Sequence, residues 1–171
     1  MNISLIGMMG SGKTTIGELL TKTLTEYSLI DTDSEIIKAE ACSINTIFEE
    51  KGEEYFRKKE SHLLKNILEN DNQIISTGGG IINNPKNIEL LKEKSIVFYL
   101  KASPEEIYKR VKNNKERPLL NVVDINNKIN KILSERACKY ELAHFTINTD
   151  GKKPAMVVSE ILGKLDSYGT N

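Results

Sequence analysis

The run Gly7-Met8-Met9-Gly10-Ser11-Gly12-Lys13-Thr14 fits G-x-x-x-x-G-K-[ST] at every defined position. This run constrains the fold more than anything else in the chain. Such a loop works only between a strand and a helix. Its glycines let consecutive backbone N–H groups turn inward onto phosphate oxygens, and the helix that starts there adds the positive end of its dipole. Lys13 is placed to reach the β- and γ-phosphates, and Thr14 to offer a hydroxyl to Mg²⁺. A flexible glycine turn produces similar letters by chance, so the flanks decide. Ile3–Ile6 is an apolar run that suits a strand, and Thr14–Leu24 has helical spacing. Both flanks are what a nucleotide-binding loop requires.

The rest of the chain continues the alternation. Strands are predicted at Ser28–Ile30, Gln73–Ile75, Ser95–Leu100 and Phe145–Asn148. Helices are predicted at Glu35–Ala41, Ser43–Lys51, Glu53–Leu68, Asn87–Glu93, Pro104–Lys112, Asp124–Cys138 and Pro154–Leu165. Strands separated by helices imply a parallel sheet covered on both faces, an α/β fold. Ligands of such sheets sit beyond the carboxyl ends of the strands, which directs attention to the residues after Ile6, Ile30, Ile75 and Leu100. The 171 residues suit one compact domain, with no internal repeat and no Gly/Ser- or Pro-rich linker.

Composition narrows the class of function. Lys and Arg total 24 and Asp and Glu total 24, so the chain has no general electrostatic pull on nucleic acid or an anionic membrane. Trp is absent and aromatics are 6%, which argues against a base-stacking platform. No run approaches the roughly 20 apolar residues of a membrane helix, and the apolar start reads as a first strand rather than a signal peptide. Cys42 and Cys138 lack metal-ligand spacing and fit free thiols in a reducing cytosol. These features suggest a cytoplasmic protein that acts on small molecules.

A phosphate loop serves GTPase switches, ATPase motors and small-molecule kinases alike. The chain is too short for a motor with accessory domains, and it lacks an N-K-x-D-type guanine-reading run. Both absences favour a kinase. Three further clusters bear on this. Asp31-Thr32-Asp33 ends the second predicted strand, where paired acids can serve a magnesium shell and a substrate hydroxyl; Asp33 before Ser34-Glu35-Ile36 also suits a helix N-cap. Ser76-Thr77-Gly78-Gly79-Gly80 ends the third strand, where P-loop enzymes usually carry an acid. The metal shell must then lean on Thr14, the Asp31/Asp33 pair and water. The three glycines permit either close approach to a ligand or a sharp turn. Arg57, Arg117 and Arg136 each offer a fork for carboxylate or phosphate. Arg117 lies in a polar stretch before Pro118 that suits a lid closing over phosphates. His62, His144 and the charge run Glu49–Glu60 read as structural or solvated.

In order and spacing, these motifs resemble the shikimate kinase family along nearly the whole chain. The resemblance rests on Gly7–Thr14, Asp31-Thr32-Asp33, Phe56-Arg57 after Gly52-Glu53, Gly78–Gly80, Arg117-Pro118-Leu119-Leu120, and Arg136-Ala137 followed by Tyr140. It implies a three-layer α/β/α fold of the nucleoside-monophosphate-kinase type, with a five-stranded parallel sheet. The whole of 1–171 would be one P-loop kinase domain, with a mobile lid at about 112–124 and a substrate-binding helical segment at about 33–61. It further implies ATP-dependent phosphorylation of the 3-hydroxyl of shikimate, a step of aromatic amino-acid biosynthesis, by a monomer.

The resemblance also assigns roles. ATP would contact Gly7, Met8, Met9, Gly10, Ser11, Gly12, Lys13, Thr14 and Thr15, with Arg110 and Lys153 at the adenine. Lys13, Asp33 and Arg117 would be catalytic, Asp33 binding the reacting hydroxyl and Arg117 coming from the lid. Arg57 and Arg136 would clamp the carboxylate, with Asp33, Gly78, Gly79 and Gly80 completing the substrate site. Mg²⁺ would be held by Thr14 and, through water, by Asp31. The one departure is Lys152-Lys153-Pro154, where the family often has Arg before Pro. A gluconate kinase on the same scaffold would share the P-loop but need not pair Arg57 and Arg136 with three glycines. A non-catalytic nucleotide-binding relative would be expected to lose Lys13, Asp33 or a clamp arginine.

Overall fold

A computed structural model describes residues 1–112 and 124–169. The strands are β1 (Asn2–Ile6), β2 (Ser28–Asp31), β3 (Gln73–Ser76), β4 (Ser95–Lys101) and β5 (Phe145–Asn148). The helices among the described residues are α1 (Lys13–Thr23), α2 (Thr32–Glu40), α3 (Ile44–Ile67), α4 (Pro85–Lys94), α5 (Pro104–Val111), α6 (Ile125–Tyr140) and α7 (Pro154–Tyr168). A 3₁₀ turn spans Ile81–Asn83. The strands form one parallel sheet in the order β2-β3-β1-β4-β5. None of the described helices is long and apolar enough to cross a membrane.

Side-chain alternation along the central strands builds a core on each face. Ile3 and Leu5 of β1 and Ile96, Phe98 and Leu100 of β4 pack with Ile16 and Leu20 of α1 and Val157, Val158 and Ile161 of α7. Their neighbours Ile6, Val97 and Tyr99 face the other way, onto Leu64 and Ile67 of α3, Leu91 of α4 and Tyr140 of α6. Every residue of β1 is buried, because both faces of a central parallel strand are covered. Each fully buried aliphatic side chain contributes about 1.5–3 kcal/mol, so β1 is held far more firmly than the loops at its end.

Two smaller apolar clusters lie apart from the sheet. Ile36, Ile47 and Phe56 join α2 to α3, and Ile107, Val111, Ile129 and Ile132 join α5 to α6 around Met8. The predicted helix break at Gly52 is real. The backbone there has φ 81° and ψ 166°, so α3 is two helical segments meeting at a kink. Such a φ suits glycine.

Most element ends shift by one to three residues from the sequence reading, and one shift bears on the site. α2 begins at Thr32 and not at Glu35, and its N-cap is Asp31, whose carboxylate accepts from the Ser34 N–H at 3.1 Å. Asp33 therefore sits inside the first turn rather than capping it. Asp31 wins because it still has extended backbone at the strand end, as a cap requires. Of the expected lid at 112–124, residues 113–123, including Arg117, lie outside the described residues.

Candidate active site

The loop Gly7–Thr14 sits where β1 hands over to α1, at the centre of the sheet. Gly7, Gly10 and Gly12 have φ of 145°, 77° and 99°. A Cβ on Gly7 would stand 2.7 Å from the Leu100 carbonyl, and one on Gly10 would stand 2.6 Å from Val111 Cγ1. The glycines are needed both for backbone angle and for room. Gly12 caps α1 without a side-chain hydrogen bond, which leaves the first N–H groups of the helix for a ligand. Ser11 is buried, and its Oγ has no hydrogen-bond partner among the described residues. A buried polar atom of this kind asks for an acceptor or donor from outside the protein. Lys13 Nζ donates to the carbonyls of Gly7 at 2.8 Å and Met8 at 3.0 Å, folded over its own loop.

Sheet register places the next group. Asp31 pairs with Ser76 across β2 and β3, and Ser76 pairs with Leu5 of β1. Thr14 Oγ1 donates to Asp31 Oδ2 at 2.8 Å, Ser76 Oγ donates to the same oxygen at 2.9 Å, and the two hydroxyls lie 3.2 Å apart. Burial pushes the Asp31 carboxyl up, but hydrogen bonds from Thr14, the Ser34 N–H and Ser76 outweigh it and hold the pKa below the ordinary carboxylate value. Ser76 thus fills the position where an acid was missed in the sequence. Two hydroxyls and a carboxylate are hard oxygen donors that suit Mg²⁺, and no cluster of three His, Cys, Asp or Glu among the described residues offers an all-protein cage. The fit is to an ion that keeps waters and leans on phosphates.

The chain does turn here, the Ile81 N–H donating to the Gly78 carbonyl at 3.1 Å, but none of the three glycines has a positive φ, so it is close approach and not backbone angle that calls for glycine. A Cβ on Gly78 would stand 2.5 Å from Asp33 Oδ1 and 2.7 Å from Glu60 Oε1. One on Gly79 would stand 3.2 Å from the Met9 nitrogen. One on Gly80 would stand 2.5 Å from both Arg57 Nη atoms. Three consecutive glycines therefore admit the acid pair, the phosphate loop and an arginine to one short stretch of backbone. The Gly78 N–H donates to Thr32 Oγ1 at 2.8 Å, which fastens this stretch to the start of α2.

Two arginines reach the same stretch from different helices. Arg57 is held by Glu53 at 3.1 Å and by Glu60 Oε2 at 2.8 Å, and its guanidinium stands 5.1 Å from the Phe56 ring centroid. Arg136 of α6 donates to the Gly79 carbonyl at 3.1 Å. Asp33, Arg57 and Arg136 thus converge with Gly78, Gly79 and Gly80, as a small acid carrying a reactive hydroxyl would need.

A second recess of about 270 Å³ lies beside the loop, lined by Ser11, Gly12, Thr15, Arg110, Lys152 and Pro154 among others. Arg110 is fixed there by Glu106 at 3.0 Å and the Thr149 carbonyl at 3.0 Å. Lys152 lines the recess and pairs with Glu160 at 2.6 Å, whereas Lys153 is the N-cap residue of α7 and is not among the lining residues.

Sequence reasoning missed Glu60 and left Tyr140 without a role. The run Glu49–Glu60 was read as a solvated face, which holds for Glu54 and Lys58 but not for Glu60, whose side chain is 1% exposed. Its position three residues after Arg57 on a helix was the available signal. Burial pushes the Glu60 carboxyl up to about 7, with Asp33 adding to the effect and Arg57 and Arg136 opposing it. Its Oε1 has no hydrogen-bond partner among the described residues. His144 is structural as read, its Nδ1 accepting from the Val97 N–H at 3.0 Å.

Comparison with known proteins gives the family. The shikimate kinase family model matches residues 9–166. The chain is 43% identical over 161 residues to a shikimate kinase of Caldicellulosiruptor bescii, covering 94% of this chain and 93% of that one. It is 40% identical over 164 residues to one of Persephonella marina, covering 96% and 98%. A solved shikimate kinase of Acinetobacter baumannii in complex with shikimate superposes with a TM-score of 0.93 at 36% identity, covering 98% of this chain and 93% of that one. Matches that extend over nearly the full length of both partners, in sequence and in fold, mean that the chain belongs to the shikimate kinase family.

Proposed function

We propose that this protein transfers the γ-phosphoryl group of ATP to the 3-hydroxyl of shikimate, giving shikimate 3-phosphate and ADP. The observation that carries the reading is the convergence of Asp33, Arg57 and Arg136 on Gly78–Gly80, which itself packs on the phosphate loop. Phosphoryl transfer passes through a loose transition state, so the protein's work is positioning and charge stabilisation. The N–H groups of Gly7–Thr14 would cradle the phosphates. Lys13 would leave the carbonyls of Gly7 and Met8 for the β- and γ-oxygens. Arg57 and Arg136 would form charge-assisted bonds to the carboxylate and fix the ring. Asp33 would accept the hydrogen bond of the reacting hydroxyl and hold its oxygen in line, taking the proton late. Thr14 directly and Asp31 through water would hold Mg²⁺, which when bound neutralises phosphate charge.

Arg117 is assigned to the phosphates by the sequence pattern alone. Arg110, with the Lys152–Pro154 stretch, would flank adenine. The same reading takes the chain to act as one kinase domain, a monomer in the cytoplasm that needs no nucleic acid or membrane.

An assay of ADP release with MgATP and a panel of shikimate, quinate, gluconate, a nucleoside monophosphate and no acceptor tests the reading. Release that depends on shikimate and disappears in Lys13→Ala is the expected result. Release with a different acceptor overturns the substrate, and none with any acceptor overturns the kinase.

A further inference from the structure

Tyr140 is the last residue of α6, fully buried, and it belongs to none of the groups that would touch ATP or shikimate. Its ring stacks on Tyr99 of β4 with centroids 4.9 Å apart and planes 13° apart. Its hydroxyl donates to the Gly79 carbonyl at 2.5 Å. Arg136 stands one helical turn earlier on the same face of α6, and its Nη1 donates to the same carbonyl. A carbonyl oxygen has two lone pairs, and here both donors come from one helix. Burial pushes the Tyr140 hydroxyl up to about 12, against the pull of Arg136, so it stays a donor at any working pH.

The Gly79 peptide is the junction of the site. Its Cα packs on the backbone of Met9 and Gly7, and the next residue packs on the Arg57 guanidinium. There are no cis peptides among the described residues. In a trans peptide the C=O and the following N–H point in opposite directions. Pulling the Gly79 carbonyl onto α6 therefore turns the Gly80 N–H away from α6. A glycine has no side chain to resist rotation of that peptide; the turn bond from the Ile81 N–H to the Gly78 carbonyl spans it, and the two donors of α6 fix its carbonyl.

We propose that Tyr140 is a positioning residue for the acid substrate: its hydroxyl fixes the Gly79 peptide and, through the shared carbonyl, the guanidinium of Arg136. The proposal rests on the shikimate reading above, because it assigns Gly79, Gly80 and Arg136 to the substrate rather than to the nucleotide. It makes the Tyr99–Tyr140 stack the support, and the single hydroxyl the functional part. On the nucleotide side, Lys13 and the Thr14–Asp31–Ser76 group are held by partners of their own, so the bond bears first on the acid side.

The test is Tyr140→Phe, which keeps the ring and removes the hydroxyl, beside Tyr99→Phe, which removes a hydroxyl from the other ring of the same stack. Loss of one buried neutral hydrogen bond predicts a rise of about five- to tenfold in the shikimate KM for Tyr140→Phe, with kcat within about twofold and the ATP KM unchanged. Tyr99→Phe should leave all three values unchanged. An unaltered shikimate KM in a Tyr140→Phe protein that melts like the wild type overturns the proposal. So does a parallel loss in both KM values and kcat with a lowered melting temperature, which would mark Tyr140 as part of the core and no more. If the wild-type enzyme itself ignores shikimate, the functional reading fails first and the proposal falls with it.

Discussion

The phosphate end and the acid end of this site are built in different ways. The phosphate loop is eight consecutive residues, and its function lies in backbone N–H groups whose direction is fixed by three positive-φ glycines. The acid end gathers side chains from α2, α3 and α6 around three glycines after β3. Its charges are fixed by other charges, Arg57 by Glu53 and Glu60, and its peptide by Arg136 and Tyr140. A site made of backbone tolerates changes around it. A site made of side chains from three helices depends on every support. The first arrangement suits a phosphate chain common to many enzymes, and the second lets one small acid be chosen over others.

Breaking the two ends separately should give different kinetic signatures. The largest effect is expected for Lys13→Ala, which removes the loop's only cation. We expect kcat/KM to fall by about a thousandfold or more in the coupled ADP assay, with shikimate binding by calorimetry little changed. Asp33→Ala comes next. It should lower kcat by about a hundredfold or more while leaving ADP affinity intact, because the hydroxyl loses its orientation. A normal kcat in that variant would remove Asp33 from its assigned role. Arg136→Ala should spare kcat more than affinity and raise the shikimate KM by about thirty- to a hundredfold, the loss of a charge-assisted bond. If Arg136→Ala instead raised the ATP KM, the division into two ends would be wrong, and the Gly79 contact with Met9 would be the route of coupling.

The same contrast decides what could be read from the sequence. A contiguous motif carries its own geometry, so Gly7–Thr14 gave the strand, the loop, the helix and the chemistry together. The kink at Gly52 was legible because glycine there interrupts two helical patterns. Asp31 and Asp33 were recognised as a pair, yet their division of labour depended on where α2 starts, a matter of one turn that propensity does not settle. Ser76 could not be seen as the partner of Asp31 and Thr14, because that contact is created by the register of three strands. Glu60 looks like any charged residue on a charged helix until the helix is packed against Gly78. Tyr140 enters the sequence reading only as part of the Arg136-Ala137 to Tyr140 spacing, beyond the predicted helix end, and only the tertiary contact shows that its hydroxyl meets the Gly79 carbonyl.

Glu60 gives the subtlest test of the acid end. Burial beside the Arg57 guanidinium pushes the Glu60 carboxyl up to about 7, with Asp33 adding to the rise and Arg57 and Arg136 opposing it. The two arginines are what pull it down. A substrate carboxylate, ionised throughout the neutral range, would engage those same cations and weaken their pull. The Glu60 pKa must then rise on binding, so binding takes up a proton in the pH window between the free value of about 7 and the raised one. The sign follows directly: shikimate affinity should weaken as pH rises from about 6.5 to 8.5, by about three- to tenfold in all. Affinity for ADP, bound at the end that lacks this carboxyl, should stay level over the same range. Calorimetry in buffers of different ionisation enthalpy would count the proton. Glu60→Gln should flatten the pH profile and abolish the uptake. A shikimate Kd that is level in the wild type from pH 6.5 to 8.5 would mean that Glu60 stays ionised against Arg57 in both states, and that the acid end is set by fixed charge alone.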